Sequence, residues 1–388
     1  MESRLPQPSP DAQAASRELC RRIAAEIRAN DGWISFARYW ELALYTPGLG
    51  YYSGGAQKFG GDAEGGDFVT APELTPLFGQ ALARQIAQIT AASAPIVLEA
   101  GAGSGKLAAD LLLALEALGS APERYLILEL SGELRARQRA TLQALAPALL
   151  GRVEWLDAMP EKFSGCVIGN EVLDAMPVHA LHWRDGTLSE RGVGIADDGR
   201  FGWRERAADS ALAEAAASLA VAAPYRGEIG LAGRAWTAEW GHALERGALL
   251  LIDYGLSRRE LYHPQRDGGT VRCHYRQRSH DDPFWWPGLS DITAHVDFTA
   301  IAEAGHDAGL DVLGYTSQSV FLMNCGIGDL LMQRQAENDA AAAQRAGGAL
   351  SLLLSPNEMG ELFKVIALGR GIDAPLLGFA RGDRTHAL

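Results

Sequence analysis

The chain has 388 residues, with 35 Lys plus Arg against 48 Asp plus Glu and a formal net charge of −13. That length can bury a large core and carry insertions, while that charge opposes non-specific attraction to a nucleic-acid backbone, so no DNA partner is expected. Cys20, Cys166, Cys273 and Cys325 form no C-x-x-C pair, no apolar run is long enough to span a bilayer, and the first thirty residues hold no apolar leader; these features argue against a disulfide framework, a zinc ribbon, a membrane span and a targeting segment, and place the chain in the cytoplasm.

Residues 5–12 carry three prolines and read as a loose tail before a helix over 16–29. A glycine-rich segment over 47–72 follows, and its aromatic residues Tyr51 and Phe68 favour an ordered functional loop. Residues 1–90 are thus expected to form an N-terminal helical and glycine-rich cap or lid. From Pro95 onward short β-rich runs at 96–100, 125–130, 153–156, 166–169 and 248–254 alternate with helical periodicity, which predicts a doubly wound α/β domain over 91–388. After the first run, Leu107, Leu111, Leu115 and Leu118 recur at helical spacing and Gly119 is placed to end the helix. Two insertions interrupt the alternation. One, over 180–245, mixes tryptophans, turn signals and an alanine-rich stretch, and its fold is not fixed by periodicity. The other, over 320–358, is alanine-rich and helical and separates final strands at 312–317 and 361–368.

The most informative segment is Glu99-Ala-Gly101-Ala-Gly103-Ser-Gly105-Lys106. Alternate glycines after a buried strand allow a tight turn and the close approach of a ligand to bare backbone, and the following helix offers its first amides, so a nucleoside-containing cofactor is the natural occupant. A dinucleotide fingerprint would need glycine where Lys106 stands, and a phosphate-binding loop would need glycine at Ala100 and Ser or Thr at Leu107. Glu129 and Asp157 close the next two strands, where an open sheet presents carboxylates to a ribose and an adenine. Singly, such acids are commonly caps or solvated loop residues; in order at successive strand ends they read as a binding site. The fourth strand runs into Asn170-Glu171-Val-Leu-Asp174-Ala-Met-Pro-Val-His179, where Asn170 and Glu171 could also simply cap a helix.

The acidic-x-G-x-G-x-G arrangement resembles motif I of class I methyltransferases. More specifically, residues 66–73, 99–105, 170–179, 253–255, 291–298 and 359–365 resemble the MidA-like methyltransferase family, whose mitochondrial members assemble respiratory complex I and methylate a protein arginine. The resemblance implies a mostly parallel, seven-stranded Rossmann-like methyltransferase sheet with substrate-side insertions. It implies S-adenosyl-L-methionine as methyl donor, S-adenosyl-L-homocysteine as product, and a protein substrate, in the first instance a respiratory-chain subunit. Cofactor contacts are then expected from Asp67, Glu99, Gly101, Gly103, Gly105, Glu129, Asp157 and Asn170, with the segment 66–73 over the cofactor, and acceptor contacts from Glu171 and Asp174. Methylation of RNA or of a small molecule, and a cofactor-binding assembly factor without turnover, are the alternatives.

Residues 258–280 hold six arginines and three histidines, a density that suits an acidic partner or, more plainly, a solvated loop whose arginines pair with nearby acids. His179 with His182, and His295 with Asp297, lack the companions of a metal site, so no metal is assigned.

Overall fold

Leucine, isoleucine and valine runs bounded by glycine and acidic residues become the strands of one large sheet. The computed structural model describes residues 5–54, 70–336 and 340–388. In it the sheet path holds β1 (Ile96–Ala100), β2 (Arg124–Leu128), β3 (Val153–Leu156), β4 (Phe163–Asn170), β5 (Leu244–Leu256), β6 (Asp311–Ser317) and β7 (Phe363–Arg370). Their spatial order is β6–β7–β5–β4–β1–β2–β3. Strands β1 to β5 pair in parallel, whereas β7 runs antiparallel to both β5 and β6. The central strands are buried on both faces, which explains why Ala248 to Ile252 reads as an unbroken apolar run.

The chain builds outward from β1 through β2 to β3, then returns to lay β4 against the other edge of β1. That reversal is a topological switch point, and open α/β sheets bind ligands at the carboxyl ends of the strands beside it. Ala100 and Gly169 are level in the β1–β4 ladder, so the glycine turn and Asn170 leave the sheet at the same height. Three helices serve this edge: α1 (Pro76–Ala92), α2 (Lys106–Ala117) and α3 (Gly132–Leu145). A core of Phe78, Leu111, Leu115, Ile127, Ile168 and Phe363 joins helices to strands. Helices α1 and α2 approach closely enough that a Cβ on Gly79 would lie 2.7 Å from that of Asp110.

The chain divides into two units, each with its own core. One is Val69–Val172, Ala235–Gly255 and Phe298–Leu388; the other is Met1–Phe68, Leu173–Arg234 and Leu256–Asp297. This grouping differs from a cap over 1–90 beside a domain over 91–388, because α1 packs in the sheet's core while the early helices share a core with the insertion. In the second unit the helices Pro10–Ala29 and Phe36–Tyr45 pack Leu19, Ile23, Tyr39 and Trp40 against Val178, Ala180 and Val193. Strands His179–Arg184, Thr187–Ile195, Phe201–Ala207 and Tyr225–Ile229 form an antiparallel sheet, and Arg272–Tyr275, Arg278–His280 and Asp291–Thr293 form a smaller one. The first helix starts at Pro10, six residues ahead of the expected start, since Ser9 caps it and proline suits a first helical turn.

Candidate active site

At the end of β1 the chain turns through Gly101, Gly103 and Gly105 at φ 65°, 51° and 82°, all in the left-handed region where a side chain is strained. The Gly101 N–H donates to the Leu128 carbonyl at the end of β2 (3.1 Å). A Cβ on Gly105 would lie 2.9 Å from Gln138 Cα, and one on Gly101 would meet Val172 Cγ2 at 3.4 Å. The turn is therefore bare backbone held between neighbours, a cradle that added carbon would fill. The Ser104 hydroxyl accepts the Lys106 N–H (3.2 Å) at the start of α2 and donates to the carboxylate of Glu73.

The carboxylates assigned to the cofactor occupy different environments. Glu99 is buried against β2, where the Tyr125 hydroxyl donates to it (2.7 Å), and burial pushes its carboxyl up to about 7. Glu129 lies just past β2, its two oxygens accepting the Ser131 N–H (2.9 Å) and the Gln138 Nε2–H (3.1 Å); burial raises its pKa. The next side chain, Leu130, is 80 % exposed. Asp157 is 92 % exposed and pairs with Arg135 at 2.8 Å. Arg135 also donates to the carbonyls of Glu129 (2.6 Å) and Leu156 (2.7 Å), tying the ends of β2 and β3 together.

Gln138 gives no signal in the sequence, because a lone glutamine on a polar helix carries no pattern. It is fully buried, and its amide group donates to the Gly103 carbonyl (3.2 Å) as well as to Glu129, while its oxygen accepts the Trp155 indole N–H (2.9 Å). One side chain thus joins the glycine turn, the carboxylate after β2 and strand β3.

Beyond β4, Asn170 Nδ2 donates to Glu171 Oε1 (3.0 Å), and Asn170 Oδ1 is buried without a hydrogen-bond partner. An orphaned acceptor next to a bare glycine turn fits a polar ligand. Glu171 itself sits at φ 54°, a left-handed conformation unusual for a residue with a side chain. Asp174, three residues on, belongs to the other unit; it is buried, which raises its pKa, and its carbonyl accepts the Ala294 N–H (3.1 Å). Asp67 and most of the glycine-rich segment lie outside the described residues.

The remaining motifs find local partners. His179 and His182 pair with Glu190 (2.6 Å) and Glu205 (2.9 Å), and Arg258 and Arg272 with Asp297 (3.4 Å) and Asp281 (3.3 Å). Among the described residues no group of three or more metal-ligating side chains gathers.

Comparison with known proteins places this geometry. A protein from Burkholderia thailandensis crystallised bound to S-adenosyl-homocysteine is 55 % identical, superposes with a TM-score of 0.94, and is matched over 99 % of this chain and 100 % of its own. Proteins named protein arginine methyltransferase NDUFAF7, mitochondrial, from Danio rerio and Homo sapiens are each 27 % identical, the first over 92 % of this chain and 88 % of its own length, the second over 90 % and 83 %. The family profile for S-adenosyl-L-methionine-dependent methyltransferases matches residues 78–316. With a bare glycine turn at the switch point of the sheet, carboxylates at its strand ends and that profile over more than half its length, the chain belongs to the S-adenosyl-L-methionine-dependent methyltransferase family.

Proposed function

We propose that this methyltransferase modifies an arginine side chain of a partner protein, a respiratory complex I-type subunit, in the cytoplasm. The observation that carries the reading is Glu171, a carboxylate held in a left-handed backbone just beyond β4, beside the glycine turn. Residues kept in such conformations concentrate where chemistry is done. The names of the Danio rerio and Homo sapiens relatives support arginine as acceptor. Four free cysteines suit a reducing compartment.

S-adenosyl-L-methionine, when bound, supplies an electrophilic methyl group on a sulfonium. Gly101, Gly103 and Gly105 would take its adenosyl portion, Glu129 would accept from the ribose hydroxyls, Asp157 would face the adenine, and Asn170 Oδ1 offers an acceptor at the same edge. Glu99 stands behind the turn, bonded to Tyr125, and supports β1 against β2. Glu171 pairs with the acceptor guanidinium through charge-assisted bonds, orients one nitrogen and receives the proton that leaves it. Asp174 is a second acceptor carboxylate on the strength of the family resemblance.

The test uses tritiated cofactor and cell extract to find a protein that the wild type labels, followed by the same assay with Glu171→Gln. Label on arginine, a fall in transfer of about tenfold or more and an unchanged affinity for S-adenosylhomocysteine are expected. Label on RNA or on another side chain overturns the acceptor; loss of cofactor binding in the variant moves Glu171 to the cofactor site.

A further inference from the structure

Both backbone amides that bracket the Glu171 Cα are anchored to β5. The Glu171 N–H donates to the Ile252 carbonyl (2.9 Å), and the next N–H, that of Val172, donates to Asp253 Oδ2 (3.1 Å). With the atoms on either side fixed, the dihedrals of Glu171 are fixed as well. A left-handed conformation is strained for a residue with a Cβ, so it persists only where such anchors hold it. Asp253 is 1 % exposed, and its other oxygen accepts the Tyr254 N–H (2.8 Å). Both of its oxygens therefore act as acceptors, which an asparagine cannot match, since its amide nitrogen would face an N–H donor. On the adjacent antiparallel strand Lys364 is the direct partner of Asp253, and both are buried.

We infer that Asp253 is a positioning residue for methyl transfer: by holding the Val172 amide it keeps Glu171 in its left-handed backbone and aims that carboxylate at the transferred methyl. The inference rests on the reading of Glu171 given above. It reaches further by assigning a role to a buried residue that would touch neither cofactor nor acceptor.

The experiment needs no acceptor. Sinefungin has a carbon in place of the cofactor's sulfur and a primary ammonium in place of its methyl, whereas S-adenosylhomocysteine keeps a neutral sulfur and has no group at the methyl position, so the ratio of their affinities reports a negative charge aimed at the methyl position. Calorimetry on the full chain should show this preference for sinefungin falling about tenfold in Glu171→Gln and about threefold in Asp253→Asn, with the double variant no worse than Glu171→Gln, as coupled residues require. Affinity for S-adenosylhomocysteine itself should hold in all three. If Glu171→Gln leaves the ratio unchanged, Glu171 does not face the methyl and the functional reading fails with the inference. If Glu171→Gln lowers the ratio while Asp253→Asn does not, or if the two losses add, only the positioning role is overturned. Should Asp253→Asn fail to fold, hydrogen exchange on the wild type decides: a Val172 amide protected to the level of the β5 amides supports the anchor, and one exchanging as freely as an open loop overturns it.

Discussion

Glu99, Glu129 and Glu171 are the same residue type at three strand ends, and their surroundings give them different work. Glu99 holds its proton up to about 7 when folded, against an ordinary value of 4.5. Between those values the folded state binds more protons than the unfolded one, so stability falls as pH rises through the window and levels off above it. The change is on the order of 3 kcal/mol, and buried Asp174 contributes in the same direction. Glu99→Gln keeps an acceptor for Tyr125 and is expected to flatten the dependence of Tm on pH between about 5 and 7; an unchanged slope would show that Glu99 is not the group titrating. At Glu171 the expected order of substitutions is reversed from that at ordinary positions: Glu171→Gly should be more stable than Glu171→Ala by about 1 kcal/mol in denaturant midpoints, since glycine adopts positive φ without strain. The existence of these carboxylates was legible in the sequence because strand ends are. Their division of labour was not, because burial of Glu99 by Tyr125 and the backbone angle of Glu171 arise from neighbours in other strands.

At the level of elements, β1, α2 and the turn between them could be read directly: leucines at helical spacing, a buried run before them and glycines between. What periodicity could not show is that α3 approaches this turn within contact of Gly105 and delivers Gln138 to it. Gln138→Leu would leave the Gly103 carbonyl, one buried oxygen of Glu129 and the Trp155 N–H without this partner. A loss of about 2 kcal/mol or more of stability is expected, together with about tenfold weaker binding of S-adenosylhomocysteine, equivalent to about 1.4 kcal/mol. Normal affinity in a folded variant would show that α3 does not set the geometry of the turn. Strand ends lie within a few residues of those the sequence predicts, and the differences have local causes: the expected strand over 361–368 begins only at Phe363, since the short helix Met359–Leu362 precedes it, with the Gly360 N–H donating back to the Ser355 carbonyl (3.0 Å).

For the molecule as a whole, the alternation from Pro95 onward was enough to specify a doubly wound sheet, but not that the insertion over 180–245 and the helices before residue 55 would share a core. That union depends on side chains such as Trp40 and Val193, more than 150 residues apart, which no local period connects. It carries a prediction: saturating S-adenosylhomocysteine should slow hydrogen exchange in β1, α2 and the turn between them far more than in the helices Pro10–Ala29 and Phe36–Tyr45. Equal slowing throughout would mean that the whole chain responds as a single cooperative body. The order β6–β7–β5 has a further consequence, for synthesis on the ribosome. The strand between β5 and β6, Phe363–Arg370, is translated after both of them, so the nascent chain makes both flanking strands before the one that joins them. Until then the edge of β5 stays open, a hydrogen-bonding template for other chains. A premature stop before Phe363 would leave that edge open permanently and β6 without its partner, and such a product should aggregate or be degraded although every residue of the glycine turn is present.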